Sequence, residues 1–182
     1  EDFQRRTALA LARLVLAQGD WYATVEWTTA VRQLAEPDSL LAFEAEITAA
    51  RATLALGNAA SARRALMDSE APGTLRGYAL AFLGEAWRAE GQFLFAIEAW
   101  QRLLDEQPEH IEAIRHATRT AELFAEIGRT DDAVEAWVRV ETFPVRSQPE
   151  ASAADTDSSD LLFIGPLLRL IEQQSGEPRL DA

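Results

Sequence analysis

The chain lacks cysteine and lysine altogether, and in 182 residues it has one asparagine, one methionine, two histidines and nine glycines. Without cysteine there is no disulfide, no thiolate nucleophile and no thiolate metal site, and the redox compartment stays open. Without lysine, all 17 basic residues are Arg, which with abundant Ala is the composition expected of a GC-rich bacterial genome. Against them stand 30 carboxylates, so the net charge is −13. That balance repels phosphate backbones and sets nucleic acid aside as a partner. No apolar run approaches the roughly 20 residues that span a bilayer, so no transmembrane segment is expected.

Catalytic signatures are also missing: there is no Gly-rich phosphate loop, no Gly-x-Ser-x-Gly elbow and no His-Glu-x-x-His. His110 and His116 stand six residues apart, on different faces of a helix. Only Glu112 and His116 share a face, and two ligands do not make a catalytic zinc site. The expectation is a protein that is not an enzyme and needs no metal or cofactor, with its histidines solvated or capping. The acidic pairs Asp131-Asp132 and Glu106 with Glu109 read as carboxylates at helix starts, where the helix dipole favours them.

Hydrophobic residues make up 48% of the chain, enough for a sizeable core. Four of the scarce glycines, Gly19, Gly57, Gly91 and Gly128, are separated by 38, 34 and 37 residues, a repeat period. Apolar residues recur three and four apart on both sides of each, so each glycine joins two amphipathic helices. No strand is expected. With each glycine set at zero, position −7 holds Ala12, Ala50, Gly84 and Ala121, and position +5 holds Thr24, Ala62, Ala96 and Ala133. These small residues are what two closely approaching helix backbones require. Position −4 holds Val15, Thr53, Trp87 and Phe124, and position +9 holds Thr28, Leu66, Trp100 and Trp137, so the large aromatics fill core columns only in the later units. Trp21 reads as packing just after its turn, whereas Trp27 falls on no column. Pro37, Pro72, Pro108 and Pro144 close the units, since proline cannot continue a helix interior.

The third unit, with Leu80, Leu83-Gly84, Trp87, Ala96, Trp100 and Pro108, resembles the tetratricopeptide repeat. The fourth matches at Ala121, Phe124, Ala133 and Trp137, while the first two depart through Thr24, Thr28 and Thr53. The resemblance covers residues 3–144 and implies an all-α, right-handed superhelical solenoid of four helix-turn-helix pairs. It also implies a protein–protein interaction scaffold or adaptor. An interaction module of a larger enzyme or of an envelope-assembly or secretion protein is the rival reading. Glu1 in place of an initiator methionine reads as removal of an N-terminal segment, whose identity would decide between bacterial cytoplasm and periplasm.

By the same resemblance, the first helix of each pair lines a concave groove through positions 13, 10, 9, 6, 3 and 2 before the glycine. Those positions hold six Arg and four Glu, net +2 in a chain of net −13. The groove candidates are Arg6, Arg13, Arg51, Tyr78, Phe82, Glu85, Arg88, Arg115 and Arg119. They suit a peptide or protein segment that is apolar with some acidic residues. The plainer alternative is helix-surface ion pairing, Glu85 with Arg88 and Glu122 with Arg115 and Arg119. The Lys/Asn carboxylate clamp of chaperone-binding members of the family is not evident, because lysine is absent and Asn58 sits at a turn.

Residues 145–159 have the acidic, polar composition of a flexible linker. Residues 160–176 are strongly apolar and read as a C-terminal helical segment, with Gly165-Pro166 kinking or dividing it. It is expected to act as the C-terminal capping helix of the array, with filling the groove or docking on another chain as a homo-oligomer contact as the alternatives.

Overall fold

A computed structural model of the chain describes residues 2–37, 39–67 and 69–143. They form eight helices: α1 (Asp2–Ala17), α2 (Trp21–Leu34), α3 (Leu40–Ala55), α4 (Ala59–Met67), α5 (Gly73–Ala89), α6 (Phe93–Glu106), α7 (Ala113–Glu126) and α8 (Thr130–Glu141). Among the described residues there is no strand. The linker, the C-terminal apolar segment and Pro144 lie outside the described residues.

The four period-setting glycines close the pairs in the same way. Each has φ between +73° and +81°, the left-handed region that only glycine enters without penalty. The residue after each glycine donates its N–H to a carbonyl five positions back: Asp20 to Val15, Asn58 to Thr53, Gln92 to Trp87 and Arg129 to Phe124, at 2.9 to 3.1 Å. This helix-ending motif satisfies carbonyls that would otherwise lack a donor. The residue that completes it also opens the next helix. Asp20 Oδ1 accepts from the Ala23 N–H at 3.0 Å, and Asn58 Oδ1 from the Ser61 N–H at 3.3 Å.

Consecutive helices pack in antiparallel pairs, and the odd-numbered helices also pack in a row, α1 on α3, α3 on α5 and α5 on α7. In tetratricopeptide-repeat arrays the corresponding row is the inner face. The small columns are buried throughout: Ala12, Ala50 and Ala121 at −7, and Thr24, Ala62, Ala96 and Ala133 at +5. In the first unit the hydroxyls that replace the usual apolar groups are satisfied locally. Thr24 Oγ1 donates to the Asp20 carbonyl and Thr28 Oγ1 to the Thr24 carbonyl, both at 2.8 Å. The departures from the repeat pattern in that unit therefore change the packing chemistry and leave the helix pair intact.

Trp100 is the centre of the third unit. It is fully buried, its Nε1 donates to the Ala81 carbonyl at 3.2 Å, and a Cβ at Gly84 would lie 2.1 Å from that nitrogen. Glycine at 84 is what lets the indole lie flat on α5. The expectation that Trp87, Trp100 and Trp137 all fill core columns holds fully only for Trp100. Trp87 is half-buried, stacked on Phe95 with centroids 4.8 Å apart and capped by the Arg63 guanidinium at 4.5 Å. Trp137 is 41% exposed, and among the described residues no helix follows α8 to cover its column.

The carboxylate expectations divide as well. Asp131 and Asp132 occupy the first turn of α8, as the helix dipole favours. Glu106 instead ends α6, where Arg76 and Arg102 hold it at 3.3 Å each.

Candidate protein-binding groove

The inner row carries a hollow of about 220 Å³ between α3, α5 and α7. Arg51 and Leu54 come from α3, Phe82 and Glu85 from α5, and Arg115, His116 and Arg119 from α7, with Glu112 just before it. Five of the nine groove candidates, Arg51, Phe82, Glu85, Arg115 and Arg119, thus meet in one place. Three guanidiniums face two carboxylates there.

Phe82 is the apolar wall. The Arg51 guanidinium lies 5.8 Å from its ring centroid, and Tyr78 stacks on it at 6.5 Å. Burial raises the Tyr78 phenol above its ordinary value, the Glu112 carboxylate adding to the rise, so it stays protonated. Glu85 is the hub of the charges: Arg119 pairs with it from α7, and Arg88 from its own helix at 3.4 Å. Arg115 pairs with Glu112 at 3.3 Å. Glu122, the partner expected for Arg115 and Arg119, is not the one they take.

His116 forms the buried floor, 1% exposed, which corrects the expectation of a solvated histidine. Its Nδ1 lies 2.9 Å from the Glu112 carbonyl. A carbonyl only accepts, so Nδ1 carries the proton and Nε2 is an acceptor in the neutral ring. Nε2 faces Glu85 Oε1 at 3.3 Å without a hydrogen bond between them, and that oxygen is the one Arg119 holds. Burial pushes the imidazole below its ordinary value, against the opposing pull of the Glu112 carbonyl and carboxylate.

His110 is buried too, and its work is structural. Its Nε2 donates to the Thr74 carbonyl at 3.1 Å, and its Nδ1 accepts from the Glu112 N–H at 3.2 Å. The ring lies over Gly77, where a Cβ would approach it to 2.3 Å. His110 therefore seals the entry of the fourth unit against the third, and burial lowers its pKa. Among the described residues, no three His, Asp or Glu side chains are grouped to hold a metal ion.

The remaining candidates lie apart from the hollow. Arg6 is exposed on α1. Arg13 is paired with Glu44 across α1 and α3, its Nε donating at 2.7 Å, with both side chains about one-sixth exposed. The position ten before the glycine does not face the groove in the first three units: Leu9, Ile47 and Ala81 are core. These side chains fill the seams between successive odd helices, which narrows the groove to the positions on either side.

A larger hollow of about 420 Å³ opens on the outer side between α6 and α8, over Ala117, Thr120 and Phe124. Two of its rim charges pair with neighbours, Arg139 with Asp105 at 2.6 Å and Asp132 with Arg129 at 2.7 Å.

These features define an all-α array of four helix pairs with the architecture of tetratricopeptide-repeat proteins. The solved structure described as "MamA RS-1 ArsTM double mutant", of the tetratricopeptide-repeat protein MamA, superposes with a TM-score of 0.60 at 23% identity. The match covers 76% of this chain and 71% of that one. No protein-family model and no curated protein sequence matches the chain. Among the described residues no helix is long and apolar enough to cross a membrane.

Proposed function

We propose that the protein is a non-catalytic interaction scaffold whose inner row binds a peptide or protein segment at the α3–α5–α7 hollow. The observation that carries this reading is the convergence of Arg51, Arg115 and Arg119 on the Phe82 wall, in a chain of net charge −13. A segment with an apolar side chain against Phe82 and an acidic one among the guanidiniums fits that chemistry. Arg13 is not part of this site, since its guanidinium is committed to Glu44.

The test is selection of short peptides from a randomised library, followed by affinity measurement on variants. Enriched sequences are expected to combine large apolar residues with Asp or Glu. Arg51→Glu is expected to weaken them at least tenfold, and raised salt to weaken them further. Peptides that bind both Arg51→Glu and Phe82→Ala as tightly as the parent would remove the site from this face.

A further inference from the structure

Among the described residues no helix follows α8, and the end of the array there carries apolar side chains in columns that are buried in the third unit. Six residues after the turn glycine, Ile97 is 3% exposed in the third unit, and its counterpart Val134 in the fourth is 59% exposed. Nine after it, Thr28, Leu66 and Trp100 are at most 2% exposed, and Trp137 is 41% exposed. On the first helix of the pair, Gly77 lies under the His110 ring, while Ile114 in the same column is 38% exposed. Ile114, Val134 and Trp137 thus leave an apolar face on α7 and α8, in columns that the third unit covers with residues of the fourth.

We propose that residues 161–171 of this same chain dock on that face. Four arguments favour them over other occupants. Leu161 to Ile164 and Leu167 to Ile171 are the densest apolar stretch outside the eight helices, and Leu167, Leu168, Leu170 and Ile171 share one face of a helix that Pro166 can open. Residues 144–160 link α8 to the stretch and reach up to roughly 3.3 Å each, ample for a face that begins on α8 itself. Tethering supplies an effective concentration of about millimolar, which a second copy cannot match. Two chains of net charge −13 also repel each other end to end.

The absence of cysteine makes a direct test clean. In the full chain, Val134→Cys is combined in turn with Leu167→Cys, Leu168→Cys, Leu170→Cys and Ile171→Cys, which together span the apolar face that a helix over these residues would have. Ala153→Cys with Val134→Cys reports the encounter rate of the linker alone. Under mild oxidation at least one of the four pairs is expected to close within a monomer at least tenfold faster than the control, since closure needs Cα atoms within about 7 Å. Closure of all four at the control rate would overturn the proposal, as would disulfide-linked dimers in place of monomers. An independent readout is amide exchange over residues 130–141, which Leu168→Asp should speed at least tenfold. Unchanged exchange would also overturn it.

Discussion

The third and fourth units carry the same aromatic at the same column and treat it oppositely. Trp100 lies flat on α5 because Gly84 presents no methyl to it, and His116 of the next unit closes over it with ring centroids 5.2 Å apart. Ala121 stands in the column of Gly84, Trp137 is 41% exposed, and among the described residues no further helix follows. A repeat column therefore specifies only half of a packing arrangement. The other half is the small residue opposite and the neighbour that arrives afterwards, so identical letters in a repeat alignment carry different energies.

The sharpest way to break that comparison is to truncate both indoles. Trp100→Ala should lose about 3–5 kcal/mol in urea unfolding, because a buried indole leaves a cavity. Trp137→Ala should lose less than about 2 kcal/mol, in keeping with its partial exposure. Equal losses would show that the two positions are equivalent after all. A smaller effect separates the partners beneath them. Gly84→Ala drives a methyl into Trp100 and should cost about 1–3 kcal/mol. Ala121→Gly should cost only about 1 kcal/mol, the helix penalty of glycine. If Gly84→Ala is neutral or stabilising, the indole does not depend on the glycine.

Acid probes the seam between the same two units, with the smallest expected effect. Both histidines there have pKa values lowered by burial, so between 6.5 and the lowered values the unfolded chain binds protons that the folded one excludes. Their contribution is fully present above pH 6.5 and is lost as pH falls through the folded values. The slope is at most about 1.4 kcal/mol per pH unit for each ring. Unfolding midpoints in urea measured from pH 7.5 to 5 should decline. On hydrogen exchange the fourth unit should loosen before the first, which contains no histidine. A uniform response along the array would mean that the seam is no weaker than the others.

How much of this was legible without coordinates divides along the same line between local and neighbour-dependent structure. The turn glycines, the helix pairs and the small columns follow from spacing within one unit, and Gly19, Gly57, Gly91 and Gly128 all take the left-handed conformation that the period implies. The convergence of Arg51, Phe82, Glu85, Arg115 and Arg119 was within reach because all lie on first helices. Their partners were not. Glu85 takes Arg119 from the next unit, and Arg13 takes Glu44, because contacts across helices depend on the stagger set by loops of unequal length. The burial of His110 and His116 was hidden for the same reason, since each ring is covered by groups from the preceding unit.

The way the helices touch gives the molecule a mechanical character. Each helix packs on the ones next to it in sequence, the odd-numbered helices pack also on the next odd one, and α1 makes no substantial contact with α5 or anything beyond. Tension applied at the ends therefore runs through every seam in series, as in a chain of links, and is not shared among them. The weakest seam sets the strength of the whole. When one link yields, roughly 34 residues pay out at up to roughly 3.3 Å each, lengthening the molecule by about 100 Å while the remaining pairs keep their shape. Such an array behaves as an extensible strap, and its inner-face hollow, shared by three successive links, would be the first binding surface to disappear under load.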